Sequence, residues 1–397
     1  MPTTQKKILV VGGGIGGLAT ALACGARGLP VQLIEKKPEF SEVGAGVQLS
    51  PNVVRLLEGW GLASALDAVA SFPPLLQVRS ARSGAVLGQL AFGARAVQRY
   101  GARYATVTRA DLHALLLSAV QAQGSTQLLL DNALHQVSQD ANAVTVTSAD
   151  GHQRRANVAI GADGLWSNVR EFVRANAQPR FSGHLAYRAM VPQAALPQAL
   201  RSEVITAWLG PRFHAVQYPV HGGEWLNVAV IVHGTAPDDV HHWDHEANGI
   251  DLGVHLEGTA SGLQDLVGAI KAWRLWPLNT LPHLGGAKEM AFGRIALMGD
   301  AAHPMLPYLA QGAGMAIEDA AALADALSNP ALGDVAALER YAQSRWRRSA
   351  RVQARAQRNG QIFHAIGLQR WGRDTAMKLL GPRLLDVPWL YEGASRG

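Results

Sequence analysis

The segment Lys7 to Gly17, KILVVGGGIGG, constrains this chain more than any other stretch. Its aliphatic run reads as a buried parallel strand that leads directly into Gly12, Gly14 and Gly17 in GxGxxG spacing. The first glycine permits the tight turn, the second lets the backbone approach a pyrophosphate, and the third lets the following helix pack closely on its strand. The pyrophosphate then sits on a helix N-terminus, where free N–H groups and the positive end of the dipole attract it. The pattern predicts a helix from Ile15 to Ala26 ending near Gly28, then a second strand from Val31 to Ile34 closed by Glu35. An acid at that strand end is placed to accept hydrogen bonds from an adenosine ribose. The loop by itself leaves FAD and NAD both open.

A length of 397 residues exceeds one ordinary core and predicts two interleaved domains with a tail. With 48% hydrophobic and 17% charged residues the chain has material for a large core, which excludes a disordered or fibrous class. The one cysteine, Cys24, excludes an intramolecular disulfide and reads as a small packing residue. No secretion signal is read before the first strand and no apolar run reaches the ~20 residues of a membrane span, so the expectation is a cytoplasmic protein without stable membrane insertion. Much of the +6 formal charge lies in Arg345, Arg347, Arg348, Arg351, Arg355 and Arg358. Their spacing reads as a charged helical face, solvated or between subunits and compatible with a homodimer. No nucleic-acid motif accompanies it, and no nucleic-acid partner is expected.

Two further strand ends carry a glycine and an acid. Asn157 to Ile160 leads to GADGLWSNVR at 161 to 170, and Arg294 to Met298 leads to GDAAHP at 299 to 304. In an open parallel sheet ligands lie beyond the carboxyl ends of the strands, so Asp163 and Asp300 converge on the crevice opened by Gly12. Each acid can accept from ribityl hydroxyls of a flavin or brace the loop that holds them. An alanine-rich helix is predicted from Met315 to Leu327, beginning near Gly312.

Together, the glycine loop with Glu35, GADGLWSNVR, and GDAAHPMLPYLAQGAGMAIEDA at 299 to 320 resemble the three signatures of the class A FAD-dependent aromatic hydroxylases, the para-hydroxybenzoate-hydroxylase-like family. Thr108 to Leu112, TRADL, resembles a fourth element, whose arginine, here Arg109, contacts the ribityl and phosphate portion. The resemblance covers nearly the whole chain. It implies an α/β (α+β mixed) fold: a Rossmann-like FAD-binding domain in segments 1–75, 100–178 and 282–330, an inserted β-sheet substrate domain in 76–99 and 179–281, and a helical C-terminal segment in 331–397. It implies FAD contacts at Gly12, Gly14, Ile15, Gly17, Glu35, Lys36, Val47 on the isoalloxazine side, Arg109, Leu134 on the adenine side, Asp163, Asp300, Pro304, Gly312, Ala313 and Gly314. The helix near Gly312 would aim its positive end at charge developing on the flavin pyrimidine.

Between 180 and 281 the pattern changes to strands, predicted at Glu203 to Trp208, His214 to Tyr218 and Leu226 to Val232. Alternation puts His214, Val216 and Tyr218 on one face. The resemblance implies a monooxygenase that takes NADH or NADPH and O2, works through a flavin C4a-hydroperoxide, and hydroxylates a small aromatic acid. Its catalytic candidates are His214 as base toward a phenol, Tyr218 orienting the substrate, and Gln311 bonding it from the flavin side. The 3-hydroxybenzoate 6-hydroxylase branch matches best. Salicylate and 6-hydroxynicotinate monooxygenases, an FAD epoxidase or reductase, and a non-catalytic flavin binder are the alternatives. No metal is expected: His241, His242 and His245 lack HExxH order and lie in a predicted loop. GLWSN around Ser167 is not a nucleophile elbow.

Overall fold

The computed structural model describes residues 6–40, 44–237, 239, 244–247 and 249–393. The first strand forms at Ile8–Val11, and the helix after the glycine loop at Ile15–Gly25. Gly28 then turns with a positive φ of 71° into the strand Val31–Ile34. These strands lie at the centre of a described sheet ordered Ala291–Phe292, Ile295–Leu297, Val158–Gly161, Ile8–Val11, Val31–Ile34 and Thr126–Leu129. All its pairs are parallel except the first. Its interior strands are continuous aliphatic runs because helices cover both faces.

A second, eight-stranded sheet carries Leu75–Ser80 and Val86–Ala91 at one edge, then Ile205–Gly210, Phe213–Val220, Trp225–His233, Arg180–Pro192, Trp273–Thr280 and His245–Ala247. The fold is the expected one, a Rossmann-like FAD-binding sheet with an inserted β-sheet unit and C-terminal helices. One face of the second sheet closes over its own helices through Leu226, Val228, Val230 and Val232, with Leu252, Leu263 and Leu266. The other face turns toward the dinucleotide sheet. No helix among the described residues is long and apolar enough to cross a membrane.

The helix Gly312–Ser328 packs between Ile15–Gly25 and the 30-residue helix Asp334–Phe363. The arginine face expected on that long helix is only partly solvated. Arg347, Arg351 and Arg358 are exposed, but Arg345 is 1% exposed and Arg348 is half-buried. Arg345 Nε donates to Asp319 Oδ1 at 2.7 Å and its Nη1 to Glu318 Oε2 at 2.8 Å, while Arg348 grips both Glu318 oxygens at 2.6 and 2.7 Å. Spacing along a helix shows which residues share a stripe, but acids on a helix distant in sequence decide which of them turn inward.

Burial alone would raise Asp319; the neighbouring His303 and Arg345 outweigh it and hold its carboxyl at about 2. Its folded value lies below the ordinary 3.8, so its stabilisation is present above about pH 4 and lost as pH falls toward 2. Removing one partner of such a buried set strands the other charge, so Arg345→Ala is expected to cost about 3–5 kcal/mol in chemical denaturation. A cost below about 1 kcal/mol, the range of a surface ion pair, would contradict the network's role.

Candidate active site

Segments distant in the chain meet at the carboxyl ends of the parallel strands. The cleft there is lined by Gly12, Gly14, Ile15, Glu35, Lys36, Arg109, Leu134, Asp163, Asp300, Gly312 and Ala313, among others. Gly12 has a φ of 107°, and a Cβ on it would fall 2.5 Å from the Ala162 carbonyl oxygen. A Cβ on Gly17 would meet the Gly12 oxygen at 1.9 Å, so this glycine serves the loop from behind the cleft. Gly14 and Gly312 instead face open space. The Glu35 carboxylate accepts from the Gly13 N–H at 2.7 Å and the Lys37 N–H at 3.0 Å, which fixes the loop against the second strand.

Asp163 braces its own loop, accepting from Ser167 Oγ at 2.5 Å and from the N–H groups of Asn168 and Val169 at 2.9 and 3.2 Å. Burial pushes its carboxyl above the usual range against those bonds. Asp300, at the start of the short helix Gly299–Ala302, opens into the cleft. Its side chain is exposed to the open cleft, whose walls still desolvate it enough to raise its carboxyl, opposed by the Arg109 guanidinium. Gln311 precedes the helix Gly312–Ser328, donates through Nε2 to Ser50 Oγ at 2.9 Å, and leaves Oε1 buried without a partner. Glycines shaped for close approach and a helix start opening on the cleft fit a bound FAD.

Register builds the opposite wall. Cross-strand pairing aligns Ala186, Ile231 and His214 in one row, Arg188, Ala229 and Val216 in the next, and Met190, Asn227 and Tyr218 in a third. Neighbours in a row share a face, so this wall carries His214, Arg188 and Tyr218 around the small side chains Ala186 and Ala229. The face docks on the strand Gly46–Leu49, which contains Val47. Gly46 N–H donates to Asn227 Oδ1 at 2.7 Å, Arg188 Nη2 donates to the Gly46 carbonyl at 3.3 Å, and a Cβ on Gly46 would fall 2.6 Å from the Tyr218 ring.

Arg188 was not singled out in the sequence. It lies over the Trp276 ring at 4.2 Å, hydrogen-bonds Tyr218, and keeps Nε buried without a partner. No ion pair joins it to a carboxylate among the described residues. Burial pulls it below the ordinary arginine range, which opposes keeping the charge and favours an anionic partner. The readable signal was its place two residues beyond Ala186 in an alternating strand.

At the other end of the face His214 is 4% exposed and packs on Tyr308, with ring centroids 5.2 Å apart. Its Nδ1 lies 2.8 Å from His364 Nε2. Burial, then neighbouring His184, push it down to about 3, so its imidazole is neutral. His214, Tyr218 and Gln311 all lie outside the lining of the dinucleotide cleft, as do Gly17, Val47 and Gly314. Pro304 borders a different cavity, and its carbonyl accepts from Gln353. Cys24 is buried and its thiol is pushed up to about 12, so it packs rather than reacts. His241 and His242 lie outside the described residues, and Asp244 is held by Arg274 and Trp276.

The FAD binding domain family matches residues 5–356. The chain belongs to that family. It is 36% identical over 387 residues, 97% of this chain and 95% of the relative, to the 3-hydroxybenzoate 6-hydroxylase of Polaromonas naphthalenivorans. It is 35% identical over 391 residues, 98% and 96% of the two chains, to the 3-amino-4-hydroxybenzoate 2-monooxygenase PtnB3 of Streptomyces platensis. A salicylate hydroxylase solved as a substrate complex superposes with a TM-score of 0.82 at 26% identity, over 98% of this chain and 95% of that one. The protein is an FAD-dependent aromatic monooxygenase, and FAD is its cofactor.

The purified enzyme is expected to be yellow with noncovalent FAD; recovery of FMN or NAD in its place would contradict the cleft's reading. Asp300→Ala is expected to weaken FAD retention by ~1–3 kcal/mol, the range for losing a buried hydrogen-bond partner. Unchanged affinity would mean that Asp300 only shapes its turn.

Proposed function

We propose that this enzyme hydroxylates a small phenolic acid of the 3-hydroxybenzoate type, with a reduced nicotinamide and O2 as co-substrates. The observation that carries the reading is Arg188, a half-buried guanidinium with a buried, unpartnered Nε on the same sheet face as His214 and Tyr218. A carboxylate completes it, because a guanidinium offers planar paired donors to two oxygens. Ala186 and Ala229 leave the middle of the face to a flat ring. Tyr218 orients that ring beside Arg188, and Gln311 bonds it from the opposite side.

When bound, FAD supplies the hydride acceptor and the activated oxygen. The chain's own work is to hold the ring and make it electron-rich. A neutral His214 takes the phenol proton; burial weakens it as a base in the empty site, so the imidazolium is held by the phenolate formed beside it, and that phenolate pushes density into the carbon to be hydroxylated. Relatives that act on 3-hydroxybenzoate and 3-amino-4-hydroxybenzoate support a phenolic acid as the substrate class.

A stopped-flow screen of flavin reduction across hydroxybenzoates and hydroxynicotinates tests the class. 3-Hydroxybenzoate is expected to accelerate hydride transfer most. Acceleration by a neutral phenol equal to that by its carboxylated counterpart would overturn the Arg188 role. Arg188→Met is expected to raise KM for the acid about 10- to 100-fold, the worth of a hydrogen bond to a charged group, with little effect on a substrate lacking the carboxylate.

His214→Ala separates the half-reactions. Hydride transfer is expected to survive, while hydroxylation slows by ~10²–10⁴-fold and reducing equivalents leave as hydrogen peroxide. The defect should shrink at high pH, where the phenol ionises unaided. A variant that stays fully coupled at neutral pH would remove His214 from the mechanism.

A further inference from the structure

At the far end of the catalytic face, the strand Arg180–Pro192, the strand Trp225–His233 and the end of the helix Asp334–Phe363 bring three imidazoles together. His184 and His233 are cross-strand partners, and His364 caps the long helix above them. Their ring centroids lie 4.5 to 5.2 Å apart, and one nitrogen from each falls within 4.8 Å of the other two. They border a cavity of about 560 Å³ that also receives Pro304, Gln357 and Gln361.

We propose that His184, His233 and His364 form a binding site for a divalent transition-metal ion, with zinc, cobalt, nickel and copper as the fitting class. The hydrogen bonds already made are those a metal site needs. His184 Nδ1 is held by the Tyr308 hydroxyl at 2.8 Å, which leaves Nε2 to ligate. With His364 ligating through Nδ1, its Nε2–H donates to His214 Nδ1 at 2.8 Å, which puts the His214 proton on Nε2 and withdraws the His214 base while the metal is bound; His364 Nδ1 lies 2.9 Å from His233 Nε2. Metal-binding histidines are oriented in this way, by a partner on the nitrogen that does not ligate.

Tetrahedral zinc with Zn–N bonds of about 2.0–2.1 Å sets its ligand nitrogens about 3.3 Å apart. The nitrogens now lie within 4.8 Å of one another, and the site requires them to draw together to that spacing, with His233 the exposed member. The cavity that the three histidines border leaves room for water as a fourth ligand. Burial lowers all three imidazoles from their ordinary value, and this neutral form is the one that ligates. An all-imidazole set without a carboxylate selects against magnesium and calcium. It also sets this site apart from the FAD cleft, whose lining includes none of the three.

Tag-free, EDTA-washed holoenzyme titrated with Zn²⁺ by calorimetry is the test, with Co²⁺ absorbance beyond the flavin bands reporting imidazole ligation. One ion per chain is expected, unaffected by excess Mg²⁺. His233→Ala, at the exposed rim, is expected to abolish that stoichiometric binding while the protein keeps its FAD. Tyr308→Phe is expected to weaken it about 10- to 100-fold through the lost orienting bond. No stoichiometric binding to the wild type, or unchanged binding to His233→Ala, overturns the proposal. Because the readout is metal binding, neither result depends on which aromatic substrate the enzyme accepts.

Discussion

Glu318 and Asp319 sit on the helix whose first turn lines the flavin cleft, and they are 4% and 0% exposed. Two adjacent buried carboxylates demand cations, and Arg345 and Arg348 supply them from the long C-terminal helix. The consequences reach both ways. Asp319 accepts from the Gly299 N–H at 3.0 Å and lies 2.6 Å from His303 Nε2, so it fixes the loop that presents Asp300. Glu318 accepts from Asn52, Asn52 accepts from Ser50, and Ser50 accepts from Gln311. A polar chain therefore runs from the C-terminal helix to Gln311, the residue before the helix start that lines the cleft. Such a network is costly when incomplete and rigid when satisfied, and rigidity is what a cofactor cradle requires.

The substrate wall depends on a different constraint, the pleat. In the strands Arg180–Pro192 and Phe213–Val220 every second residue faces the cofactor side. One slip in register would send Arg188, His214 and Tyr218 into the helical core of the second sheet and bring Tyr187 and Ala215 out. Both positions of that slip are costly: a guanidinium in an apolar core, and apolar residues on the catalytic face. The same alternation places His184 and His233 together at the far end of the face.

The parts legible in the sequence are those whose chemistry is local. Gly12 announces the turn and Gly17 the close packing behind it because a side chain at either would collide with backbone, and Asp163 and Asp300 announce strand ends because a glycine lies one or two residues before each. His214 and Tyr218 were readable as one face from alternation alone. Arg188 was not readable as a lone cation, since the absence of an acid opposite it depends on strands distant in the chain. His364 gives no local signal: it ends a helix far from its partners in the chain and meets them only through packing. The inward turn of Arg345 and Arg348 escaped for the same reason. Pro304, grouped by sequence with the flavin loop, borders the histidine cavity because the chain turns away from the cleft after Ala302.

The central claim is that this cleft and this sheet face together insert oxygen into a phenolic acid. Turnover of 3-hydroxybenzoate under isotopically heavy O2, with product mass and nicotinamide oxidation followed together, tests it directly. The account predicts one heavy oxygen atom in each product molecule and close to one product per nicotinamide oxidised. Nicotinamide oxidation with no heavy oxygen in any aromatic product, across the phenolic acids that stimulate flavin reduction, would contradict it.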